Sequence, residues 1–178
     1  DDGTIIYRTG LGHGDALHVG DFDPDRNGLE VMMVHEEVSA KYGVEMHDAL
    51  TGEVLVGKFT GTDVGRGLCA DVDAEARGCE YWSAAGNEVY GCDGSVISTK
   101  RPTVNFRTYW DGDLQEETTE KGVITKWRGR TQSATTLVDM PSKYGAGTNV
   151  IKYTPCLQAD IFGDWSDAQI YYHEKTMS

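Results

Sequence analysis

An acidic segment recurs along this chain, and each copy runs into a short apolar stretch. Asp21-Phe22-Asp23-Pro24-Asp25-Arg26-Asn27-Gly28-Leu29-Glu30 precedes Val31-Met32-Met33-Val34. Fifty positions later, Asp71-Val72-Asp73-Ala74-Glu75-Ala76-Arg77-Gly78-Cys79-Glu80 precedes Tyr81-Trp82. A degenerate third copy begins at Asp160-Ile161-Phe162-Gly163-Asp164-Trp165-Ser166-Asp167 and leads to Ile170-Tyr171-Tyr172. Alternating carboxylates, then a glycine, then a glutamate supply the oxygen ligands that a hard cation such as calcium takes within one short loop. Asp21, Asp23, Asp25 and Glu30 are therefore candidate calcium ligands, as are Asp71, Asp73, Glu75 and Glu80, and Asp160 and Asp164 in the third copy. The same spacing also suits Asx turns that hold no ion. An acidic loop feeding a strand, repeated at this period, suits propeller blades or another β-array.

Composition narrows the reading further. With 22 glycines and few long helical periodicities, the chain reads as all-β and rich in turns. Its 178 residues suffice for one ordinary core, yet the pattern suggests several small repeated units with no domain boundary between them. Acidic residues outnumber basic ones by 29 to 16, for a net charge of -13, which disfavours nucleic acid as a partner. That acidity either keeps the chain soluble or is neutralised by bound cations. No apolar run is long enough to span a membrane. Cys69, Cys79, Cys92 and Cys156 contain no C-x-x-C pair, so a zinc site has little support, and both disulfides and free thiols stay open. Asp1-Asp2-Gly3-Thr4 reads as a turn feeding a strand Ile5-Ile6-Tyr7, with no signal peptide before it, as if the segment were cut from something larger.

Between the acidic loops lie hairpin signals. Gly43 to His47, the turn Asp48 to Gly52, and Glu53 to Val56 read as strand, turn, strand. Glu88 to Gly91, Cys92-Asp93-Gly94 and Ser95 to Ser98 repeat the pattern. A third unit runs from Phe106-Arg107-Thr108-Tyr109-Trp110 through the turn Asp111-Gly112-Asp113 to Val123-Ile124-Thr125-Lys126-Trp127. Gln115 to Lys121 reads as a short helix or a solvated loop, and Ser142 to Asn149 as a loop between units. The count comes to about three to four propeller blades.

With these units placed, several motifs resemble one family. Gly12-His13-Gly14-Asp15-Ala16-Leu17-His18-Val19-Gly20-Asp21, with Val34-His35-Glu36, resembles the family 11 polysaccharide lyases, the rhamnogalacturonan lyases. Gly65-Arg66-Gly67, Asn105-Phe106 and Tyr109-Trp110-Asp111-Gly112-Asp113-Leu114 fit the same family. Thr154-Pro155-Cys156-Leu157-Gln158-Ala159-Asp160-Ile161 with Gly163-Asp164-Trp165 completes an ordered set that spreads over nearly the whole chain. The resemblance implies an eight-bladed, calcium-binding β-propeller that cleaves the rhamnogalacturonan I backbone of pectin outside the cell or in the periplasm. Family members are several times longer. The chain would be a middle-to-late part of the ring, with the missing blades as its partners.

Elimination at a uronate needs a neutralised carboxylate, a base for the C5 proton and relief of charge on the leaving oxygen. His13, Asp15 and Glu36 match positions where the family builds an active-site metal centre. Spacing puts His13 and Asp15 on the same side of an extended segment. Read without the family, His13 and His35 are ordinary surface or hydrogen-bonding histidines. The resemblance makes Arg66 a carboxylate clamp or a modulator of the base, where the residues alone also allow a partner for an acidic loop. Lys152 corresponds to the family's candidate base; an exposed strand-edge lysine is the plainer alternative. Asn149, Val150 and Ile151 stand where the family's Asn-Gly-Thr precedes that lysine, and are the expected sugar contacts. Tyr109, Trp110, Trp127, Trp165, Tyr171 and Tyr172 read mostly as core aromatics. The rival function is a non-catalytic, calcium-stabilised propeller that serves as a binding or adhesion module.

Overall fold

A computed structural model of the chain describes residues 2–173. The chain forms two compact units, one from residues up to Ala70 together with Glu75–Arg101, the other from Asp71–Ala74 together with residues from Pro102 onward. Strands dominate both, and the strand pairs among the described residues are antiparallel.

In the first unit, β1 (Ala16–Gly20), β2 (Glu30–Val34), β3 (Val44–Asp48) and β4 (Val54–Lys58) form a four-stranded sheet in chain order. A second sheet follows the same order with β5 (Gly67–Ala70), β6 (Glu80–Ser83), β7 (Val89–Tyr90) and β8 (Val96–Ser98). Both hairpins read from the sequence, β3–β4 and β7–β8, are present. Alternation explains the core: Met32 and Val34 of β2 and Met46 and Val44 of β3 turn inward, where they meet Phe22, Val64, Cys69 and Tyr81. Gly67 permits the close approach of β5 to β2, since a Cβ there would lie 2.5 Å from Val34 Cγ1. Trp82 is fully buried.

In the second unit, β9 (Phe106–Thr108), β10 (Glu117–Glu120), β11 (Val123–Arg128) and β12 (Ser133–Asp139) form a third sheet in chain order. Ile124 and Trp127 are its buried apolar residues, and Thr118 and Thr125 share a hydroxyl hydrogen bond of 3.0 Å across the β10–β11 pair. A helix α1 (Met140–Tyr144) follows, capped by Asp139, whose Oδ1 accepts from the Ser142 amide. Two short ribbons complete the unit: β13 (Ala146–Gly147) pairs with β16 (Tyr172–His173), and β14 (Leu157–Ala159) with β15 (Ala168–Ile170). Asp167 Oδ2 ties the second ribbon to β9, accepting from Thr108 Oγ1, the Tyr109 amide and Gln158 Nε2.

Four expectations change. Ile5-Ile6-Tyr7 is not a strand; both isoleucines are exposed, and Tyr7 instead reaches His47. Asp1, the start of the expected turn, lies outside the described residues, while Asp2 Oδ1 accepts from the Thr4 amide. Gln115 to Lys121 contains β10, because Glu117 is buried against an ammonium group and Thr118 and Thr119 suit a pleated sheet. Ser142 to Asn149 holds the end of α1 and all of β13. The third positional copy of the acidic loop is Asp111 to Glu117, between first and second strands as in the other sheets, whereas Asp160 to Asp167 links β14 to β15.

None of the four cysteines is in a disulfide; Cys69 is buried and Cys156 exposed. No helix among the described residues is long and apolar enough to cross a membrane.

Candidate active site

His13, Asp15 and Glu36 converge at the open end of the first sheet. Gly14 makes this possible: a Cβ there would lie 2.3 Å from the Val34 carbonyl, so only glycine lets residues 13–15 run against the end of β2. The Glu36 amide then donates to the His13 carbonyl at 3.0 Å. His13 Nδ1 stands 3.0 Å from Glu36 Oε2 and 3.9 Å from Asp15 Oδ1. One ligand atom from each residue lies within 4.8 Å of the others. With Nδ1 protonated, the imidazole donates to Glu36; with Nδ1 bare, the three atoms face a shared point suited to a cation. The donor set of two carboxylates and an imidazole is open to solvent, with the His13 side chain 73% exposed.

Arg66 enters from the segment before β5. The Val64 amide donates to the His35 carbonyl at 3.1 Å, and a Cβ on Gly65 would lie 3.6 Å from Asp15 Oδ2. The Arg66 backbone is fixed by the Ala84 amide, which donates to its carbonyl at 3.0 Å. The structure thus brings Arg66 into the neighbourhood of the His13 cluster. His35 is fully buried, not a surface residue, with Nε2 3.3 Å from Glu45 Oε1; His47 Nδ1 meets the same carboxylate at 2.8 Å.

Lys152 lies in the second unit, exposed, on a turn organised by Asn149. The Asn149 Oδ1 accepts from the Lys152 amide at 2.6 Å and the Tyr153 amide at 3.0 Å, and its Nδ2 bonds Thr154 Oγ1. Asn105 Nδ2 donates to the Lys152 carbonyl at 2.8 Å. Val150 and Ile151 project into solvent.

In the first acidic loop, Glu30 is buried and its Oε2 accepts from the Phe22 amide at 2.8 Å and the Asp23 amide at 3.1 Å. Asp23 Oδ1 accepts from the Asp25 amide at 3.0 Å. Asp25 forks onto Arg77, at 2.8 Å from Nε and 2.6 Å from Nη2, and that hydrogen-bonded guanidinium holds its carboxyl below the usual range. Asp21 is exposed. In the second loop Glu80 is buried and Glu75 exposed. Burial pushes the Asp71 carboxyl up, a hydrogen bond from Gln115 opposes this, and the charges of Asp73 and Asp113 add to the rise. Asp160 caps its own turn, accepting from the amides of Gly163, Asp164 and Trp165 at 2.7 to 3.1 Å, while Asp164 Oδ1 accepts from Ser166.

Among the described residues, a second carboxylate group converges as tightly as the His13 cluster: Asp111, Asp113 and Glu117. The sequence presents Asp111-Gly112-Asp113 as a turn and as part of a family motif, not as a cation site. The signal that would have found it is Glu117, six positions after Asp111 where Glu30 follows Asp23, and Glu80 follows Asp73, by seven.

The family model described as rhamnogalacturonan lyase family 11, C-terminal domain, matches residues 1–178. The chain is 44% identical over 97% of its length to rhamnogalacturonan endolyase YesW of Bacillus subtilis (strain 168), covering 27% of that protein. It is 41% identical to rhamnogalacturonan exolyase YesX of the same organism, covering 97% of this chain and 31% of that one. The chain therefore spans less than a third of the relatives it matches. A solved rhamnogalacturonan lyase of Bacillus licheniformis superposes with a TM-score of 0.91 at 41% identity, over 98% of this chain and 29% of the other. Matching at this level over the full set of motifs, the chain belongs to rhamnogalacturonan lyase family 11, in its C-terminal domain.

Proposed function

We propose that this chain is part of a rhamnogalacturonan lyase that cleaves the rhamnogalacturonan I backbone of pectin by elimination at galacturonate. The observation that carries the reading is the convergence of His13, Asp15 and Glu36 beside the Gly65-Arg66 turn, in a chain of this family. Arg66 pairs with the uronate carboxylate and so makes the C5 proton more acidic. Lys152 removes that proton; the electron pair forms the C4–C5 double bond and expels the oxygen at C4, which takes a proton from water and leaves as a hydroxyl group. Asn149 holds the turn that presents Lys152, and Val150 and Ile151 offer exposed surface to the adjacent sugars. Two carboxylates and an imidazole fit a divalent cation, and calcium bound there would supply further neutralisation of the uronate.

On the same reading the three four-stranded sheets are blades of a β-propeller, completed by other blades of the full-length protein. Asp21, Asp23, Asp25 and Glu30, and Asp71, Asp73, Glu75 and Glu80, hold calcium that stiffens the link into the second strand; the half-buried Asp71, repelled by the charges of half-buried Asp73 and exposed Asp113, supports this. Asp160 and Asp164 are the remaining candidates. A polymeric pectic substrate places the protein outside the cell or in the periplasm.

The test is release of unsaturated uronate from rhamnogalacturonan I by the full-length protein. Lys152→Ala is expected to lower kcat by about a hundredfold or more while leaving substrate binding in place, the scale of a lost general base. Arg66→Ala is expected to weaken both binding and rate. Normal turnover by the Lys152 variant rules out that base, and unchanged kinetics for the Arg66 variant rule out the clamp.

A further inference from the structure

The third sheet carries an acidic loop of the same build as the first, and a lysine of that sheet fills it. Glu117 opens β10 as Glu30 opens β2. Its Oε2 accepts from the Trp110 amide at 2.8 Å and the Asp111 amide at 3.2 Å, as Glu30 does from Phe22 and Asp23. Asp111 Oδ1 accepts from the Asp113 amide at 3.2 Å, as Asp23 does from Asp25. Asp111, Asp113 and Glu117 thus answer to Asp23, Asp25 and Glu30.

Into this loop comes Lys126 of β11, its side chain 4% exposed. Its Nζ lies 2.6 Å from Asp113 Oδ1, 3.2 Å from the Gln115 carbonyl oxygen and 3.3 Å from Asp111 Oδ1, and donates also to Glu117 Oε1. Three carboxylates and a backbone carbonyl are the donor set of a hard-cation loop. Here an ammonium group occupies it. Burial works against the charge, but the bonds to Asp113, Glu117 and Asp111 outweigh it and hold the amine above the usual lysine range.

Strand register explains why this happens in one sheet. Thr118 stands opposite Thr125, so one step along, Glu117 stands opposite Lys126. In the first sheet Glu30 stands opposite Asp48, which brings another carboxylate. In the second, Tyr81 stands opposite Tyr90, so Glu80 stands opposite Gly91, which brings no side chain. The position that faces the closing glutamate therefore carries an acid, nothing and a cation in turn.

We propose that Lys126 is a tethered cation that takes the place of a metal ion in the third acidic loop, closing that loop to calcium and leaving it a cation site once the ammonium is removed. The identity of the metal rests on the calcium reading of the first two loops; the geometry does not. The test is the number of calcium ions bound by the full-length protein and its Lys126→Met and Lys126→Arg variants, with thermal unfolding in chelator and in calcium. Lys126→Met is expected to bind one more ion per chain than the unaltered protein, and to recover in calcium the stability it loses in chelator. Lys126→Arg is expected to gain no ion. An equal count in the unaltered protein and Lys126→Met overturns the proposal. Should Lys126→Met not fold, acylation of lysines in the unaltered protein, read by mass spectrometry, decides. Lys126 is expected to stay protected with and without calcium, whereas exposure on adding calcium means that metal displaces the ammonium, and overturns it. If the unaltered protein binds no calcium in its first two loops yet Lys126→Met gains one ion, the calcium reading of those loops fails and this proposal stands.

Discussion

Glu30 sits beside Leu29, and the burial of the pair is the reverse of what hydropathy suggests: Leu29 is 50% exposed and Glu30 1%. The carboxylate goes inward because the turn points the Phe22 and Asp23 amides at it, and these need an acceptor. Glu30→Ala strands two donors at about 1–3 kcal/mol each, so we expect a loss of roughly 2–5 kcal/mol in urea denaturation at an unchanged m-value. Glu30→Gln keeps an acceptor and is expected to lose less. The sequence marked Glu30 through its spacing from the aspartates, but not its work for the backbone, which depends on how the chain turns between them. Cysteines show the same limit. Their spacing left pairing open, and the fold leaves all four as thiols. Burial, with the charges of Asp23 and Asp93, pushes the Cys92 thiol up to about 11. At pH 8 its thiolate fraction is then about 0.001, and we expect alkylation about a hundredfold slower than for a thiol of ordinary pKa. Labelling followed by mass spectrometry is expected to find Cys156 modified first and Cys69 last; early modification of Cys92 contradicts the environment described.

At the scale of elements, the link from first to second strand is the unit that repeats. The β3–β4 and β7–β8 hairpins were legible because Asp48 to Gly52 and Cys92 to Gly94 carry turn chemistry between apolar strands. β10 was not: Glu117 and Glu120 flank two threonines, and the strand becomes buriable only when Lys126, from the next strand, neutralises Glu117. Nothing local to residues 115–121 announces that partner. The His13 cluster was legible in its members, through their motif, while its geometry depends on the close pass of Gly14 against Val34. Asp71 offers a test with a sign. Burial raises its folded pKa above the unfolded value, so its charged form costs stability at neutral pH, and the cost fades as pH falls through the raised value. Asp71→Asn is therefore expected to raise the melting temperature at pH 7 in chelator. On the proposed calcium reading the order reverses in calcium, because the variant then lacks one ligand of the ion. Stabilisation of equal size in both conditions would remove Asp71 from the calcium set.

For the whole molecule, the net charge of -13 opposes the approach of the polyanionic pectic substrate proposed for the full-length protein, unless bound cations intervene. Two effects of calcium can then be separated by distance. Long-range repulsion between chain and polymer is screened by ordinary salt, with a Debye length of about 10 Å at 0.1 M and 3 Å at 1 M. On the proposed function, neutralisation of a uronate held directly against an ion at His13, Asp15 and Glu36 would act over a single contact, which monovalent salt at moderate strength leaves largely intact. Chelation of the full-length protein is expected to lower kcat/KM by both routes. Sodium chloride added to the chelated protein should restore the share due to encounter, which appears mostly in KM, and leave kcat depressed. Calcium should restore both. If sodium chloride alone returns kcat to its starting value, the cluster at His13 has no local part in the reaction, and the divalent requirement reduces to screening. If neither salt nor chelator changes kcat/KM, the chain's acidity is met by its own cations, of which Arg77 on Asp25 and Lys126 on Glu117 are the pattern.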